Sequence, residues 1–359
     1  MTKSPEVTVL MPLYNGCRYV RYAIVSIIGQ SYSNFEFIII DDGSRDESVQ
    51  IVRSFTDNRI VLLQNQTNMG VAATLNQGLD RARGRYIARM DADDISLPDR
   101  LALQVRFMEN NSQLGISGTG IYCFGIGLPN KQHKPNSPEE ISAFSLFENP
   151  LSHMSAIMRR EMLDQHALRY NPLFSRCEDY ELWSRAKKYF PLANIDNVLV
   201  RVRQHRASAT LGNWSVMTEQ TQEIQLRLLQ ELGINPTAEE LGLHHEVGRG
   251  YRQRAISRLE EGEQWLLRLQ RHNTTSQFFN RQIFDGIVGR IWFRYCANSA
   301  PLGLGVWKLW RLSPLAKMFF PNRRDTIRFA ASIAWHKCRG GMLPYFVSAG
   351  EEQVRKEAS

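Results

Sequence analysis

The stretch RMDADDISLPDR, residues 89–100, follows an apolar run and contains four aspartates: Asp91, Asp93, Asp94 and Asp99. Clustered carboxylates repel one another, so solvent, a helix end or a cation must offset that repulsion. Asp99 fits the first turn of a following helix with Ser96 as its N-cap, where the helix dipole stabilises a carboxylate. Asp91-x-Asp93 follows a predicted strand instead, and such a pair can hold Mg²⁺ or Mn²⁺ against substrate phosphates. Asp94 stays open between a metal ligand and a loop residue.

A second pair of acids, Asp41 and Asp42, ends an apolar run in the stretch IIIDDGSRDES. A carboxylate at the end of a buried strand can accept hydrogen bonds from a nucleobase imide or from a ribose. Gly43 allows the chain to turn sharply there, and Asp46 fits a capped turn before the next helix. Together the two acidic stretches indicate a site for a nucleotide diphosphate and a divalent cation.

Strands and helices alternate through the first two hundred residues. Apolar, β-branched runs predict four strands, at 7–13, 35–40, 59–64 and 85–90. This alternation is typical of a mostly parallel sheet between helices, whose ligands bind at the carboxyl ends of the strands. Three polar stretches follow predicted strands and would share that edge: Pro12–Asn15, Asp41–Ser44 and Asp91–Asp94.

The middle of the chain is mixed, and its end is helical. The pattern predicts further strands at 115–127, 154–159 and 192–205, with helices near 139–147 and 178–190. Beyond about residue 210 the apolar spacing becomes helical, with no repeat and no low-complexity run. The sequence therefore predicts an α/β domain followed by a helical extension.

Positive charge is concentrated near the C-terminus of a chain whose net charge is +8. Residues 301–359 hold ten Lys or Arg and four Asp or Glu. These charges are interleaved with aromatic residues that include Trp307, Trp310, Phe319, Phe320, Trp335, Tyr345 and Phe346. A basic, aromatic segment suits either nucleic acid or an anionic membrane surface. The alternative is a set of helices packed on the rest of the protein with a solvated basic face.

The remaining features are those of a cytosolic protein. Five scattered cysteines without paired spacing are typical of reduced thiols, not of disulfides or a zinc site. The N-terminal residues lack the basic and apolar regions of a secretory signal, and no run approaches the roughly 18 apolar residues of a spanning helix. We expect a cytoplasmic protein, peripheral to the inner face of the cytoplasmic membrane if the basic segment binds lipid.

The ordered motifs VTVLMPLYNG, IIIDDGSRD, NMGVAATLNQGLDRARGRYIARMDADD and CEDYELW resemble glycosyltransferase family 2, the inverting, nucleotide-sugar-dependent enzymes of GT-A fold. The resemblance spans roughly residues 5–205. It implies a catalytic domain at 1–210, with a mostly parallel, Rossmann-like sheet flanked by helices, and a helical, basic region at 211–359. The Q-x-x-R-W signature of the family's processive members is absent, which favours transfer of one sugar at a time.

By this resemblance, one group of residues would bind the nucleotide: Pro12, Tyr14, Asn15, Asp41, Asp42, Asn68, Gly70, Asp91 and Ala92. Asp93 would hold Mn²⁺ or Mg²⁺ on the donor diphosphate, and His205 in RVRQHRASAT would be a further metal ligand. Asp179 matches the family's catalytic base. Three residues would lie on the acceptor side: His153, Glu178 and Trp183.

The implied reaction is metal-dependent, inverting transfer of one sugar from a nucleotide-sugar, with UDP favoured as the nucleotide. The acceptor would be a hydroxyl of a saccharide or lipid-linked saccharide, in the synthesis of a bacterial surface polysaccharide such as lipopolysaccharide or capsule. A sugar hydroxyl is a poor nucleophile until a carboxylate takes its proton, which is the role expected for Asp179.

Two other functions use parts of the same pattern. A nucleotidyltransferase acting on sugar phosphates also binds Mg²⁺ through carboxylates, but it would need a basic, glycine-rich loop where LMPLYNG stands. A non-catalytic nucleic-acid-binding protein would explain the basic segment. It would leave the acidic strand ends unexplained, because carboxylates repel phosphate unless a cation intervenes, and we expect no nucleic-acid partner.

Overall fold

The computed structural model describes residues 4–205 and 214–339, with the backbone alone at 337–339. These residues form two compact units. The first runs to Ile141 and resumes at Asn149, whereas the second comprises Ser142–Glu148 and the residues from Trp214 onward. The predicted domain boundary at residue 210 lies outside the described residues.

Four parallel strands form the first half of the sheet: β1 (Val7–Leu13), β2 (Phe35–Asp41), β3 (Ile60–Gln64) and β4 (Tyr86–Arg89). Their order is β3-β2-β1-β4, and a helix follows each of the first three: α1 (Val20–Ile28), α2 (Ser48–Arg53) and α3 (Val71–Arg81). All seven residues of β2 are buried, as are six of the seven in β1. Strands buried on both faces are continuous apolar runs, which is why these two are evident in the sequence.

The second half of the sheet is mixed. It contains β5 (Ile95–Ser96), β6 (Ile116–Gly125), β7 (Asn130–Gln132), β8 (Ile157–Arg159) and β9 (Leu192–Gln204). The order continues β4-β8-β6-β9-β5, with β8 antiparallel to β4 and β6, and β6 parallel to β9. The predicted α/β fold class is confirmed, although the sheet is mixed beyond its first four strands. The sequence pattern shows which runs form strands, but tertiary packing decides the direction in which distant strands pair.

Helices cover both faces of the sheet, and alternate residues of each strand point to opposite layers. Val9 and Met11 of β1 cluster with Ile24 of α1, whereas Leu10 clusters with Leu75 of α3. The other helices of this unit are α4 (Arg100–Asn110), α6 (Arg160–Gln165) and α7 (Glu178–Ala186), and α5 (Pro138–Phe144) runs from the first unit into the second. This layering leaves the carboxyl ends of β1, β2 and β4 at one edge.

The helix after the acidic stretch begins later than predicted. α4 starts at Arg100, and Ser96 lies in β5, paired with Val200 of β9. The Ser96 N–H donates to Oγ of Ser26 at 3.1 Å. The prediction of Ser96 as the N-cap is wrong, because strand pairing places this residue in the sheet. Asp99 directly precedes the helix, and its carboxylate accepts a hydrogen bond from the Ser31 hydroxyl at 2.8 Å.

From Trp214 onward, every regular element among the described residues is helical, as predicted. The α-helices are α8 (Trp214–Glu231), α9 (Ala238–Arg249), α10 (Ile256–Ser276), α11 (Arg281–Asn298), α12 (Leu304–Leu312) and α13 (Arg323–Arg339). α9 shows how the sequence sets such boundaries. Thr237 and Glu240 exchange hydrogen bonds in a capping box at 3.2 and 2.9 Å, and Gly250 ends the helix at a φ of 67°.

A short segment from the middle of the chain, 142–148, belongs to the second unit. The carbonyl of Leu146 lies 2.8 Å from Nε2 of His244. Burial lowers the pKa of His244 to about 4, so its ring is neutral. Because the indole N–H of Trp265 donates to Nδ1 at 3.0 Å, the ring proton lies on Nε2 and points to Leu146. Two further hydrogen bonds fix the segment: Gln225 Nε2 to the Phe147 carbonyl, and Arg294 Nη2 to the Glu148 carboxylate, both at 2.6 Å.

The aromatic residues of α12 and α13 largely pack against one another. Phe329 is buried, with its ring centroid 5.2 Å from that of Trp307 and 5.8 Å from that of Trp310. Trp310 is buried and Trp307 partly buried, so both serve the interior of this unit. Two of the aromatics that the sequence singled out, Tyr345 and Phe346, lie outside the described residues.

No helix in the described part of the chain combines the length and the apolar composition that crossing a membrane requires.

A glycine in α3 sets how closely that helix approaches the sheet. A Cβ at Gly78 would lie 2.2 Å from Cδ1 of Leu10 and 2.9 Å from Cδ1 of Ile40, and both side chains are fully buried. Gly242 in α9 has open space around it. Apart from its chain neighbours and the backbone of its own helix, no atom of the described residues lies within 4 Å of a Cβ built at Gly242. Alanine at Gly242 therefore tests only the helix propensity of alanine, whereas alanine at Gly78 also adds the cost of overpacking.

We expect Gly78→Ala to lower the free energy of unfolding by about 1–3 kcal/mol, because overpacking outweighs the roughly 1 kcal/mol that alanine gains in a helix. Gly242→Ala should raise the free energy of unfolding by about 0.5–1 kcal/mol. Urea denaturation followed by circular dichroism measures both. An equal rise in the two variants would contradict the close packing of α3 on β1 and β2.

Candidate active site

The carboxyl ends of β1, β2 and β4 meet at one edge of the sheet. The register pairs Leu13 of β1 with Asp41 of β2, and Leu10 of β1 with Arg89 of β4. The polar stretches that follow these strands are therefore neighbours, as a parallel order requires. Asp41 is buried, and its carboxylate accepts a hydrogen bond from the Ser44 N–H at 3.2 Å, which shapes the turn after β2.

Hydrogen bonds tie the loop after β1 to the loop after β2. The Asn15 N–H donates to Oγ of Ser44, and the Asn15 side-chain oxygen accepts from the Arg45 N–H, both at 2.9 Å. Asn15 has a φ of 48°, which asparagine tolerates better than most residues. Pro12 is partly buried in β1, whereas Tyr14 exposes 49% of its surface. The first loop is thus fixed in place and presents one open aromatic ring.

Asp42 holds the loop that precedes α3. Its buried carboxylate accepts the N–H groups of Met69 and Gly70, each at 2.9 Å, and the side-chain amide of Asn65 at 2.8 Å. Gly70, with a φ of 85°, caps α3, and Asn68 is exposed beside it. The sequence indicated that Asp42 contacts a nucleotide directly, and that contact stays a prediction. In the structure, Asp42 and Asn65 together position the loop that carries Asn68 and Gly70. The sequence analysis did not identify Asn65.

Three aspartates gather after β4. Asp91, Asp93 and Asp94 each offer a carboxylate oxygen, and these oxygens all lie within 4.8 Å of one another. Burial and the charge of Asp91 raise the pKa of Asp93, against the opposing effect of His205. Burial and the charges of Asp91 and Asp93 raise the pKa of Asp94 well above its usual range. The cluster is therefore short of positive charge.

The donor set suits a hard divalent cation. Carboxylate oxygens are the ligands that Mg²⁺ and Mn²⁺ prefer, and a cation would relieve the repulsion within the cluster. His205 is close enough to take part, since its Nε2 lies 2.9 Å from Oδ2 of Asp93. Ala92 packs against the core of the first unit. Asp94, which the sequence left open, lies within the cluster in the structure.

Two buried arginines adjoin the aspartates. Nη2 of Arg89 lies 2.7 Å from Oδ1 of Asp91. Arg100 donates from Nη2 to the Arg89 carbonyl at 2.6 Å and from Nε to Oε1 of Gln104 at 2.9 Å. Burial and the charge of Arg89 lower the pKa of Arg100 to about 9, which still leaves it protonated at neutral pH. Sequence reasoning missed both residues because arginine is rarely buried.

Arg203 of β9 supports the same loop from another strand. Its N–H donates to Oδ1 of Asp94 at 2.8 Å, and its Nε donates to the Asp93 carbonyl at 3.0 Å. The guanidinium carbon lies 4.5 Å from the ring centroid of Tyr19 and 4.6 Å from that of Phe124. These aromatic faces hold the guanidinium of Arg203 in place beside the aspartates.

The predicted catalytic base lies in the first turn of α7. Asp179 accepts hydrogen bonds from the Asn149 side-chain amide and from the Tyr180 N–H, each at 2.7 Å. Burial raises the pKa of Asp179, and the charge of Glu178 adds to that rise. A carboxylate with a raised pKa is a stronger base, which suits removal of a proton from a hydroxyl.

His153 is buried between the aspartate cluster and α7. Its Nε2 lies 3.3 Å from Nε of Arg89 and 3.0 Å from Oη of Tyr170, and its Nδ1 lies 3.4 Å from Oε1 of Glu178. Because arginine only donates, Nε2 must accept, so we assign the ring proton to Nδ1, facing Glu178. A chain of polar contacts thus runs from Asp91 through Arg89 and His153 to Glu178.

Trp183, predicted on the acceptor side, lies in the core of the first unit. It is 1% exposed, and its ring meets that of His153 edge-on, with 6.1 Å between centroids. The helical position of Trp183 turns it inward with Leu182, so it offers an acceptor no surface in this structure.

Comparison with known proteins shows the family of this chain. The family model described as Glycosyl transferase family 2 matches residues 8–167. The putative glycosyltransferase EpsE of Bacillus subtilis is 36% identical over 213 residues, which cover 57% of this chain and 75% of EpsE. This chain belongs to glycosyltransferase family 2. The amylovoran biosynthesis glycosyltransferase AmsE of Erwinia amylovora is 29% identical to it over 231 residues, covering 62% of this chain and 85% of AmsE.

The fold of this family 2 glycosyltransferase also resembles solved structures. S. aureus TarS 1–349, in complex with UDP-GlcNAc, aligns with a TM-score of 0.55 and 17% identity over 96% of this chain and 95% of that one. At this identity the likeness concerns the fold alone, and it confirms the GT-A-type architecture and the helical C-terminal region. Family membership favours sugar transfer over both alternatives, nucleotidyl transfer and nucleic-acid binding.

We expect Mn²⁺ to raise the melting temperature of the glycosyltransferase by about 5–10 °C at a hundredfold excess over its dissociation constant, because the cation offsets the repulsion among the aspartates. Asp93→Asn should remove most of that shift. Asp99→Asn is the matched control, since Asp99 bonds to Ser31 and should keep the full shift. Differential scanning fluorimetry measures all three proteins, and an unchanged shift in Asp93→Asn would contradict the cation site.

Without metal, stability should depend on pH through Asp94. Its raised pKa means that the folded protein keeps a proton that the unfolded chain, with a pKa of about 3.9, has lost. This difference lowers stability above the unfolded-state pKa, whether folded Asp94 takes up a proton or stays ionised, and the penalty fades as the pH falls towards about 3.9. We expect Asp94→Asn to raise the metal-free melting temperature at pH 8 by about 2–6 °C, with a gain that shrinks towards pH 5. Melts in EDTA test this, and a gain independent of pH would refute it.

Proposed function

We propose that this glycosyltransferase moves one sugar from a UDP-sugar to a hydroxyl of a saccharide or lipid-linked saccharide, with inversion and with a divalent cation. The main support is the chain of contacts from Asp91 through Arg89 and His153 to Glu178. This chain joins a cluster suited to a cation on the donor diphosphate with a carboxylate pair suited to activate an acceptor.

On the donor side, Asp91 and Asp93 would hold Mn²⁺ or Mg²⁺, with Asp94 and His205 next to them. The cation would supply Lewis acidity that stabilises negative charge on the leaving diphosphate. The nucleotide would lie against the open ring of Tyr14 and the loop that Asp42 holds.

On the acceptor side, Asp179 would take the proton of the attacking hydroxyl as its oxygen bonds to the anomeric carbon. The bond to the diphosphate breaks on the opposite face, so the configuration at that carbon inverts. Asn149 and the Tyr180 N–H fix the carboxylate that performs this step. The charge of Glu178, next to it, keeps the base strong.

The substrates are inferred from relatives. The TarS complex contains UDP-GlcNAc, which supports UDP as the nucleotide and a hexosyl or N-acetylhexosaminyl group as the sugar transferred. AmsE acts in amylovoran biosynthesis, which supports a role in a bacterial surface polysaccharide. A lipid-linked acceptor would place this cytoplasmic enzyme at the inner face of the cytoplasmic membrane, where anionic lipids attract basic segments.

We expect Asp179→Asn to lower kcat for sugar transfer by about 10²–10⁴, because the acceptor loses its base. The variant should keep the Mn²⁺-dependent thermal shift caused by UDP, since the donor-side residues are intact. The donor is found first, by screening nucleotide-sugars for Mn²⁺-dependent stabilisation and slow hydrolysis.

Asp196→Asn is the control for this substitution, because Asp196 is an exposed acid of the same unit that pairs with His133. The raised pKa of Asp179 also predicts that kcat falls on the acid side at a higher pH than an ordinary aspartate would give. Normal transfer by Asp179→Asn would overturn the assignment of the base.

A further inference from the structure

Large apolar side chains protrude from the second unit between residues 304 and 328, and we call the exposed side chains of this range the 304–328 surface. Leu312, at the end of α12, is 84% exposed, and Phe320, before α13, is 83% exposed. Leu304 and Ile327 each expose 57% of their surface. Single exposed apolar residues are normal on a protein, and these four large ones fall within 25 positions of the chain.

The same surface is strongly basic. Residues 304–328 contain six Lys or Arg and one acid, Asp325. The Asp325 carboxylate accepts a hydrogen bond from Asn322 at 2.8 Å and lies 3.9 Å from Arg328. In the part of the chain that the structure describes, no carboxylate pairs with the other five cations, and all five are exposed. The surface therefore attracts anions.

Helical spacing puts the basic and apolar side chains on common faces. On α12, Lys308, Arg311 and Leu312 are spaced as i, i+3 and i+4, and all are exposed. On α13, Arg324 and Ile327 are spaced as i and i+3, and both are exposed. α12 buries Trp310 and α13 buries Phe329, whereas the exposed side chains of both helices combine cations with apolar groups.

We propose that the 304–328 surface docks on an anionic lipid membrane. Leu312 and Phe320 enter the boundary between headgroups and acyl chains, while the neighbouring lysines and arginines contact lipid phosphates. An anionic membrane offers both an anionic layer and an apolar layer within the reach of a side chain. This docking does not depend on the proposed reaction.

Other occupants fit the surface less well. A second copy of the chain, meeting this surface with its own, would bring five unpaired cations against five, and like charges repel. A nucleic-acid duplex would satisfy the cations, but Leu312 and Phe320 would gain no apolar surroundings on its phosphate backbone. Both alternatives are therefore outcomes that the test must be able to reveal.

Sedimentation of the full chain with lipid vesicles tests the docking. Vesicles of phosphatidylcholine with 30% phosphatidylglycerol should bind the parent in 0.1 M NaCl and release it in 0.5 M NaCl, whereas pure phosphatidylcholine should not bind it. The double variants Leu312→Ser/Phe320→Ser and Arg323→Gln/Arg324→Gln should each lower the partition coefficient by about tenfold.

Matched controls use the same residue types elsewhere on the second unit. Phe278→Ser removes a half-exposed phenylalanine, and Arg271→Gln removes an exposed arginine of α10. Each should change the partition less than about twofold, and circular dichroism should show that every variant is folded.

Four results would overturn the proposal: no binding of the parent to the anionic vesicles, equal binding to phosphatidylcholine, loss of binding in the controls, or no loss in the two double variants. Tight binding to a 20-bp DNA duplex that Leu312→Ser/Phe320→Ser leaves unchanged would indicate nucleic acid instead. A dimer in analytical ultracentrifugation that the same variant dissociates would indicate a second copy.

Discussion

The balance of charge between three aspartates and two buried arginines governs the arrangement of the first unit. A buried guanidinium needs both hydrogen-bond acceptors and nearby negative charge. Arg100 of α4 finds its acceptors in the carbonyls of Arg89 and Ala156, so one side chain joins a helix, the end of β4 and the turn before β8. Arg89 in turn pairs with Asp91. The loop that carries the acids is thus held in place by the protein's own cations, which only partly neutralise it.

The two ends of the site, which we propose bind the donor and the acceptor, are not electrically independent. His153 contacts Arg89 on one side and Glu178 on the other, and Glu178 adjoins the carboxylate assigned as the base. A buried network lies in a low dielectric, so a change of charge at Asp91 changes the electrostatic potential at the other residues of the network. A positive charge bound at the aspartates would therefore alter the electrostatic surroundings of Asp179 through this network.

The sequence revealed those parts of the fold and site that depend on local patterns. The apolar runs at Val7–Leu13 and Phe35–Asp41 indicated buried strands, and the acids after β4 were evident from their spacing. Arg100 and Asp94 could not be predicted, because their burial depends on partners that tertiary packing supplies. The Ser96 cap failed for the same reason, since a partner strand more than a hundred positions away pairs with it. Trp183 looked like a binding residue because a sequence does not show which face of a helix meets the sheet.

The segment 142–148 has a consequence for synthesis of the chain. Glu148 pairs with Arg294, which is 146 residues further along, and Leu146 bonds to His244, 98 residues further along. At roughly 5–20 residues per second, the ribosome needs about 7–30 s to supply Arg294. During that interval the segment around Phe147 lacks its helical partners, although the strands before and after it are already synthesised. A chaperone that holds exposed aromatic segments would find its target there, in the middle of the chain.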